Sequence, residues 1–163
     1  DAPIYKNSTF MTIGDNGTIL TSTDGTTWTS RTSGTSNDFL DVTYGNSTFV
    51  AVGNSGTILT SSDGTGWTTR TSGTTENLLG VDYGISTFVA VGKNGTILTS
   101  ADGITWTSRA SGTTNHLTGF DYGNSIFVAV GYSGLILTST DGITWTSRTS
   151  STSIRLTGVD YKE

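Results

Sequence analysis

Four aspartates, Asp24, Asp63, Asp102 and Asp141, recur at intervals of 39 residues, each followed by glycine and, four positions on, by Trp28, Trp67, Trp106 and Trp145. A carboxylate in such a place can accept the amides of its own turn, ligate a hard cation, or move a proton. The Asp-Gly pairing points to the first of these, because Asp-Gly is a favoured hairpin turn pair. A second acidic set, Asp82, Asp121 and Asp160, shares another phase of the same period, with Thr43 there in the first copy. Converging on an axis, these three would offer oxygen ligands to a cation such as Ca2+. Their structural alternative is a hydrogen bond to the neighbouring repeat. No other cofactor is expected.

Nucleophilic chemistry has few parts to work with. His116 is the one histidine and there is no cysteine, so neither a triad nor a His/Cys metal centre can be assembled. Glycoside hydrolysis needs two carboxylates about 5–9 Å apart, and Asp38 with Glu76 is the pair to test. Arg31, Arg70, Arg109 and Arg148 occupy one phase and read as structural residues of an outer strand. The tryptophans would stack on sugar rings if open to solvent, but each would bury a large area if packed between repeats.

The elements that position these residues follow from the period. Phe10, Phe49, Phe88 and Phe127 keep the 39-residue spacing, as do Gly14, Gly53, Gly92 and Gly131, with no insertion or deletion. Repeats run approximately over 7–45, 46–84, 85–123 and 124–162. Within the second copy, Leu79–Tyr83 alternates apolar and polar as a half-buried strand does. Phe88–Val91 is a continuous apolar run and Thr96–Thr99 a third strand. Trp106–Arg109 is a fourth, mostly Thr, Ser and Arg. Four short antiparallel strands graded from apolar to polar make the blade of a β-propeller, an all-β fold with four blades in this chain. Gly80, Gly119 and Gly158 suit the crowded axis.

The run Ser22-Thr23-Asp24-Gly25-Thr26-Thr27-Trp28, repeated from Ser61, Ser100 and Ser139, resembles the Asp-box of bacterial neuraminidase-type repeats. Here glycine follows aspartate directly, where the usual box sets one residue between them. With its Gly-Thr-Ile-Leu-Thr-Ser and Thr-Trp-Thr, the unit looks like the repeats of sialidase-like and photosystem II assembly-factor-like propellers over essentially the whole chain. The resemblance implies the fold and leaves function open, because the box occurs in enzymes, lectins and scaffolds. It also implies rings of more than four blades.

Ring closure has two candidate strands, since Ala2–Lys6 and Gly158–Lys162 stand at one phase. Pro3 lacks an N–H, so residues 156–161 are expected to supply the innermost strand of the first blade. A monomer and a homodimer that completes one ring are both open, as is a fragment of a longer chain.

Divergence among the copies gathers in two connections that a four-stranded blade places on one rim. The turn between the second and third strands carries Asp15, Asn54, Lys93 and Tyr132. The loop leading to the next blade carries Asn37 and Asp38, Glu76 and Asn77, Asn115 and His116, and Ile154 and Arg155. Loops on a rigid scaffold are where binding resides. The expected function is a non-enzymatic binding module using this rim, with carbohydrate as the first ligand class and protein as another partner. A glycan hydrolase and a purely structural repeat are the alternatives. With 13 acidic against 8 basic residues, a net charge of −5 and no basic stripe, a nucleic-acid partner is excluded. No apolar run approaches the ~20 residues of a bilayer-spanning helix. The Thr/Ser/Gly/Asn-rich composition fits an extracellular or cell-surface protein, and the start at Asp1 fits a mature secreted form or an excised piece.

Overall fold

A computed structural model describes residues 4–162. Sixteen strands form four sheets of four, each an antiparallel meander in chain order. The first blade holds β1 (Ile4–Lys6), β2 (Thr9–Ile13), β3 (Ile19–Ser22) and β4 (Thr29–Arg31). The second holds β5 (Phe39–Gly45), β6 (Thr48–Gly53), β7 (Ile58–Ser61) and β8 (Thr68–Arg70). The third holds β9 (Leu78–Gly84), β10 (Thr87–Gly92), β11 (Ile97–Ser100) and β12 (Thr107–Arg109). The fourth holds β13 (Leu117–Gly123), β14 (Ile126–Gly131), β15 (Ile136–Ser139) and β16 (Thr146–Arg148). The tryptophans stand just before the outermost strands.

Two-residue turns join the first and second strand of every blade, and both turn residues have positive φ, as at Asn46 (45°) and Ser47 (56°). This is the primed geometry whose twist matches the strands it joins. Three of the four turns use Asn-Ser, whereas the third blade uses Ile85-Ser86, with Ile85 at φ 49°.

Packing explains why the second and third strands are apolar on both faces. Val50, Val52 and Ile58 of one blade meet Phe88, Ala90 and Leu98 of the next. Met11 and Ile19 meet Phe49, Ala51 and Leu59 in the same way, and Val89, Val91 and Ile97 meet Phe127, Ala129 and Leu137. Two layers set a Val/Ile face, and the first a Met11/Ile19 face, against a Phe/Leu face, and nearly all of these side chains are fully buried. Trp67, Trp106 and Trp145 close the layers from outside, each donating its indole N–H to the glycine carbonyl of its own Asp-Gly turn at 3.0–3.2 Å. They pack between blades and do not stand free for sugar stacking.

The inner strands crowd as their glycines require. A Cβ on Gly45 or Gly84 would lie within 2.4 Å of the ring of Tyr83 or Tyr122 on the next inner strand, so those glycines are seats for the tyrosines. Gly80 and Gly119 likewise press on the following strand.

The innermost strand of the first blade is Ile4–Lys6, paired with β2 over three residues, rather than 156–161. Pro3, on which that choice turned, lies outside the described residues. Leu156–Tyr161 follows the fourth blade directly and settles beside β13. The Leu156 amide donates to Gly131 O at 3.0 Å, Thr118 Oγ1 to Leu156 O, and the Tyr161 amide to Asp121 Oδ2, while the Tyr161 ring covers Gly123. The reason is connectivity: the loop after β16 delivers the chain to the place of a next inner strand, and the first blade lies at the other end of the array.

Candidate functional site

The rim is built where one blade meets the next. In each internal junction a loop residue stands between two turns, taking an amide from each. Asp38 accepts the Asn16 N–H on Oδ1 at 2.9 Å, and its carbonyl accepts the Asn54 N–H at 2.9 Å. Asn77 does the same with Ser55 (3.0 Å) and Lys93 (2.9 Å), and His116 with Asn94 on Nδ1 (3.0 Å) and Tyr132 (3.1 Å). Because Nδ1 is the acceptor, the proton of the neutral imidazole stands on Nε2. Arg155 occupies this phase after the fourth blade. A guanidinium only donates, and its carbon lies instead 5.0 Å from the centre of the Tyr132 ring. His116 approaches the same ring at 4.9 Å between centroids.

Thus Asp38, Asn54, Asn77, Lys93, His116, Tyr132 and Arg155 are gathered along one rim, and Asp15 begins it beside Asn16. The rim is polarised, acidic at Asp15 and Asp38 and cationic-aromatic from Lys93 to Arg155. Asn37 turns away from the opening, donating its amide to Thr57 Oγ1 at 2.8 Å. Glu76 and Asn115 are anchored through their own backbone N–H groups, each on a threonine hydroxyl at 3.0 Å.

Asp38 ties the two turns together through its side chain as well, since Oδ2 takes the Asn54 side-chain amide at 3.0 Å.

Beside the rim, a groove of about 840 Å3 runs along the third blade. Hydroxyls and amides line it, among them Thr74, Asn94, Thr96, Ser108 and Asn115, with Arg109 at its side and Leu98 in its floor. A second cavity, of about 540 Å3, follows the axis between the inner strands.

Around that axis the acidic set bonds to neighbouring strands. Asp82 accepts the Tyr122 N–H at 3.0 Å and the Thr43 hydroxyl at 3.1 Å, and Asp121 accepts the Tyr161 N–H. Among the described residues no three His, Cys, Asp or Glu side chains, Asp82, Asp121 and Asp160 included, are grouped to hold a metal ion. Asp41 joins them, unanticipated from the sequence because its phase is glycine in the other copies. It accepts the Val81 N–H at 2.8 Å and the Val42 N–H at 2.9 Å. Burial pushes its carboxyl up to about 6, against the pull of those two amides. Burial raises Asp82 as well.

The Asp-Gly turns are self-contained. Asp24 Oδ1 accepts the Thr26 and Thr27 amides at 2.8 Å each, while Ser22 Oγ accepts the Gly25 amide at 2.9 Å. Asp63, Asp102 and Asp141 repeat the pattern. The amides of Thr144 and Ile143 hold Asp141 down at about 2. Arg31, Arg70, Arg109 and Arg148 each donate Nε to a threonine hydroxyl at 2.8 Å and brace the outer strand.

This arrangement has counterparts of known structure. A structure of YCF48 bound to D1 peptide matches 95% of this chain and 54% of its own, at 20% identity and a TM-score of 0.73. The chain shares its fold with YCF48. YCF48 from Cyanidioschyzon merolae matches 99% of this chain and 58% of its own, at 20% identity and a TM-score of 0.72. The computationally designed Ika8 protein matches 99% and 52%, at 15% identity and a TM-score of 0.78. The chain therefore spans about half the length of the solved structures it matches. No protein-family model and no curated protein matches the sequence.

Proposed function

We propose that this protein is a non-enzymatic binding module that takes its ligand at the rim and in the adjoining groove of the third blade, and that the ligand is a carbohydrate. The groove carries the reading. Its volume suits a small ligand, and a wall of hydroxyls and side-chain amides is the chemistry that replaces water around a neutral sugar. Tyr132, 39% exposed and braced by His116 and Arg155, offers an aromatic face at the same rim. The Thr/Ser/Gly/Asn-rich composition supports a location outside the cell or on its surface.

A glycan array followed by titration of the best binder tests the proposal. Asn115→Ala is expected to weaken binding about tenfold, the loss of one or two well-made hydrogen bonds, with the fold unchanged by circular dichroism. Absence of binding at millimolar sugar would reject the carbohydrate.

A second reading rests on a separate observation. YCF48, of the same fold, is found with a peptide, and the cationic-aromatic end of this rim would suit an acidic peptide segment. A peptide array decides between them: peptide capture lost in His116→Ala and Tyr132→Ala, with no sugar bound, would favour the protein partner.

A further inference from the structure

The two ends of the array carry the halves of a contact that the chain makes three times internally. Every internal layer sets an apolar face, Val/Ile in two layers and Met11/Ile19 in the first, on a Phe/Leu face closed by tryptophan. The first blade presents a Phe/Leu face, Phe10, Leu20 and Trp28, with no Val/Ile face upon it. Its Phe10 and Leu20 are half-exposed and Trp28 is 37% exposed, whereas Phe49, Phe88 and Phe127 are fully buried. The fourth blade presents the reciprocal Val/Ile face, and Val128 and Ile136 are half-exposed where Val50, Val89, Ile58 and Ile97 are fully buried. The faces do not meet within one chain: a Cβ on Gly25 would find only Phe10, whereas at Gly103 and Gly142 it would find Val50 and Val89 of the preceding blade.

We infer that two copies of this chain close one ring, the first blade of each on the fourth blade of the other, and that Leu156–Lys162 of each copy becomes the innermost strand of the partner's first blade. A head-to-tail contact closes when its rotation completes a circle. Here the chain spans about half the length of solved chains of the same fold.

Three further observations carry the strand exchange. Leu156–Tyr161 already sits on β13 as the next inner strand would, with Tyr161 seated on Gly123. Among the described residues it has no ladder partner of its own. By the register of β9 on β10, it would pair with residues 9–14 at six positions, twice the span of Ile4–Lys6. The rim adds charge. Its internal junctions bring together Asp38 with Asn54, and His116 with Tyr132. At the ring-closing junction the same phase pairs Arg155 with Asp15 of the other copy, two opposite charges.

The lack of cysteine makes the test direct. Sedimentation of the full chain is expected to give twice the 17.0 kDa of one chain, and Leu20→Arg is expected to return it to the single mass with its circular dichroism kept. Mixed Asp15→Cys and Arg155→Cys chains should form a mixed disulfide of double mass under mild oxidation. A single mass at every concentration would overturn the inference. So would a disulfide formed within one chain carrying both cysteines, since the ring would then close in the monomer. Removal of residues 156–163 should abolish the dimer, and a dimer that survives it would overturn the strand exchange.

Discussion

Ile85 shows how far one side chain can depart from its template at little structural consequence. It stands at φ 49° where the other blades have asparagine, and a β-branched residue is among the poorest occupants of the left-handed region. Its side chain is 46% exposed, so replacement disturbs no packing. Ile85→Asn is expected to stabilise the fold by about 1 kcal/mol, read as a higher urea midpoint with unchanged slope. The Asp-Gly turns make the opposite case. Their serine, aspartate and glycine answer one another's hydrogen bonds so completely that the early glycine costs the turn nothing visible.

The blade, as an element, cannot bury both of its faces alone, and its stability therefore depends on where it stands in the array. Phe88 and Phe10 occupy the same phase, but Phe88 is enclosed by the preceding blade and by Trp106 at 6.5 Å. Phe10 touches Tyr5 at 4.5 Å and has no blade behind it. Phe88→Ala is expected to cost about 3–5 kcal/mol, the usual range for an enclosed phenylalanine. Phe10→Ala in dilute solution should cost about 1 kcal/mol, in keeping with partial burial. Paired denaturation curves check the difference, and equal losses would mean that position in the array is irrelevant.

Across the whole molecule, inner strands and outer turns respond to pH in opposite senses. Asp41 has its carboxyl raised to about 6, so the folded state holds that proton more tightly than the unfolded chain. Its charge opposes folding at pH 7, and the protein gains stability as pH falls from about 6 towards 4. Asp24, Asp63, Asp102 and Asp141 are all lowered by their turn hydrogen bonds. Their contribution is present above the ordinary carboxylate range and is lost as pH falls below about 4. Maximum thermal stability is therefore expected near pH 4–5, and Asp41→Asn should flatten the rise between pH 7 and 5. A melting temperature in Asp41→Asn that still climbs as steeply as in the parent chain would refute the assignment to Asp41.

Period, strand order and polarity gradient were legible in the residues because each blade repeats the same local instructions: turn pairs, β-branched runs and a tryptophan at one phase. The gathering of Asp38, Asn77 and His116 with their turns on one rim was legible for the same reason, since a meander puts those connections on one side. For the aspartates of the inner strands the sequence left a metal set and bonds to the neighbouring repeat both open, because spacing reports phase and not the distance between side chains; Asp82 and Asp121 make the bonds. Asp41, alone at its phase, had no repeat to announce it. Where residues 156–161 settle, and which faces at the two ends stay uncovered, depended on how four stacked sheets curve. Near-identical blades carry no record of their own number, so only the assembled packing decides it.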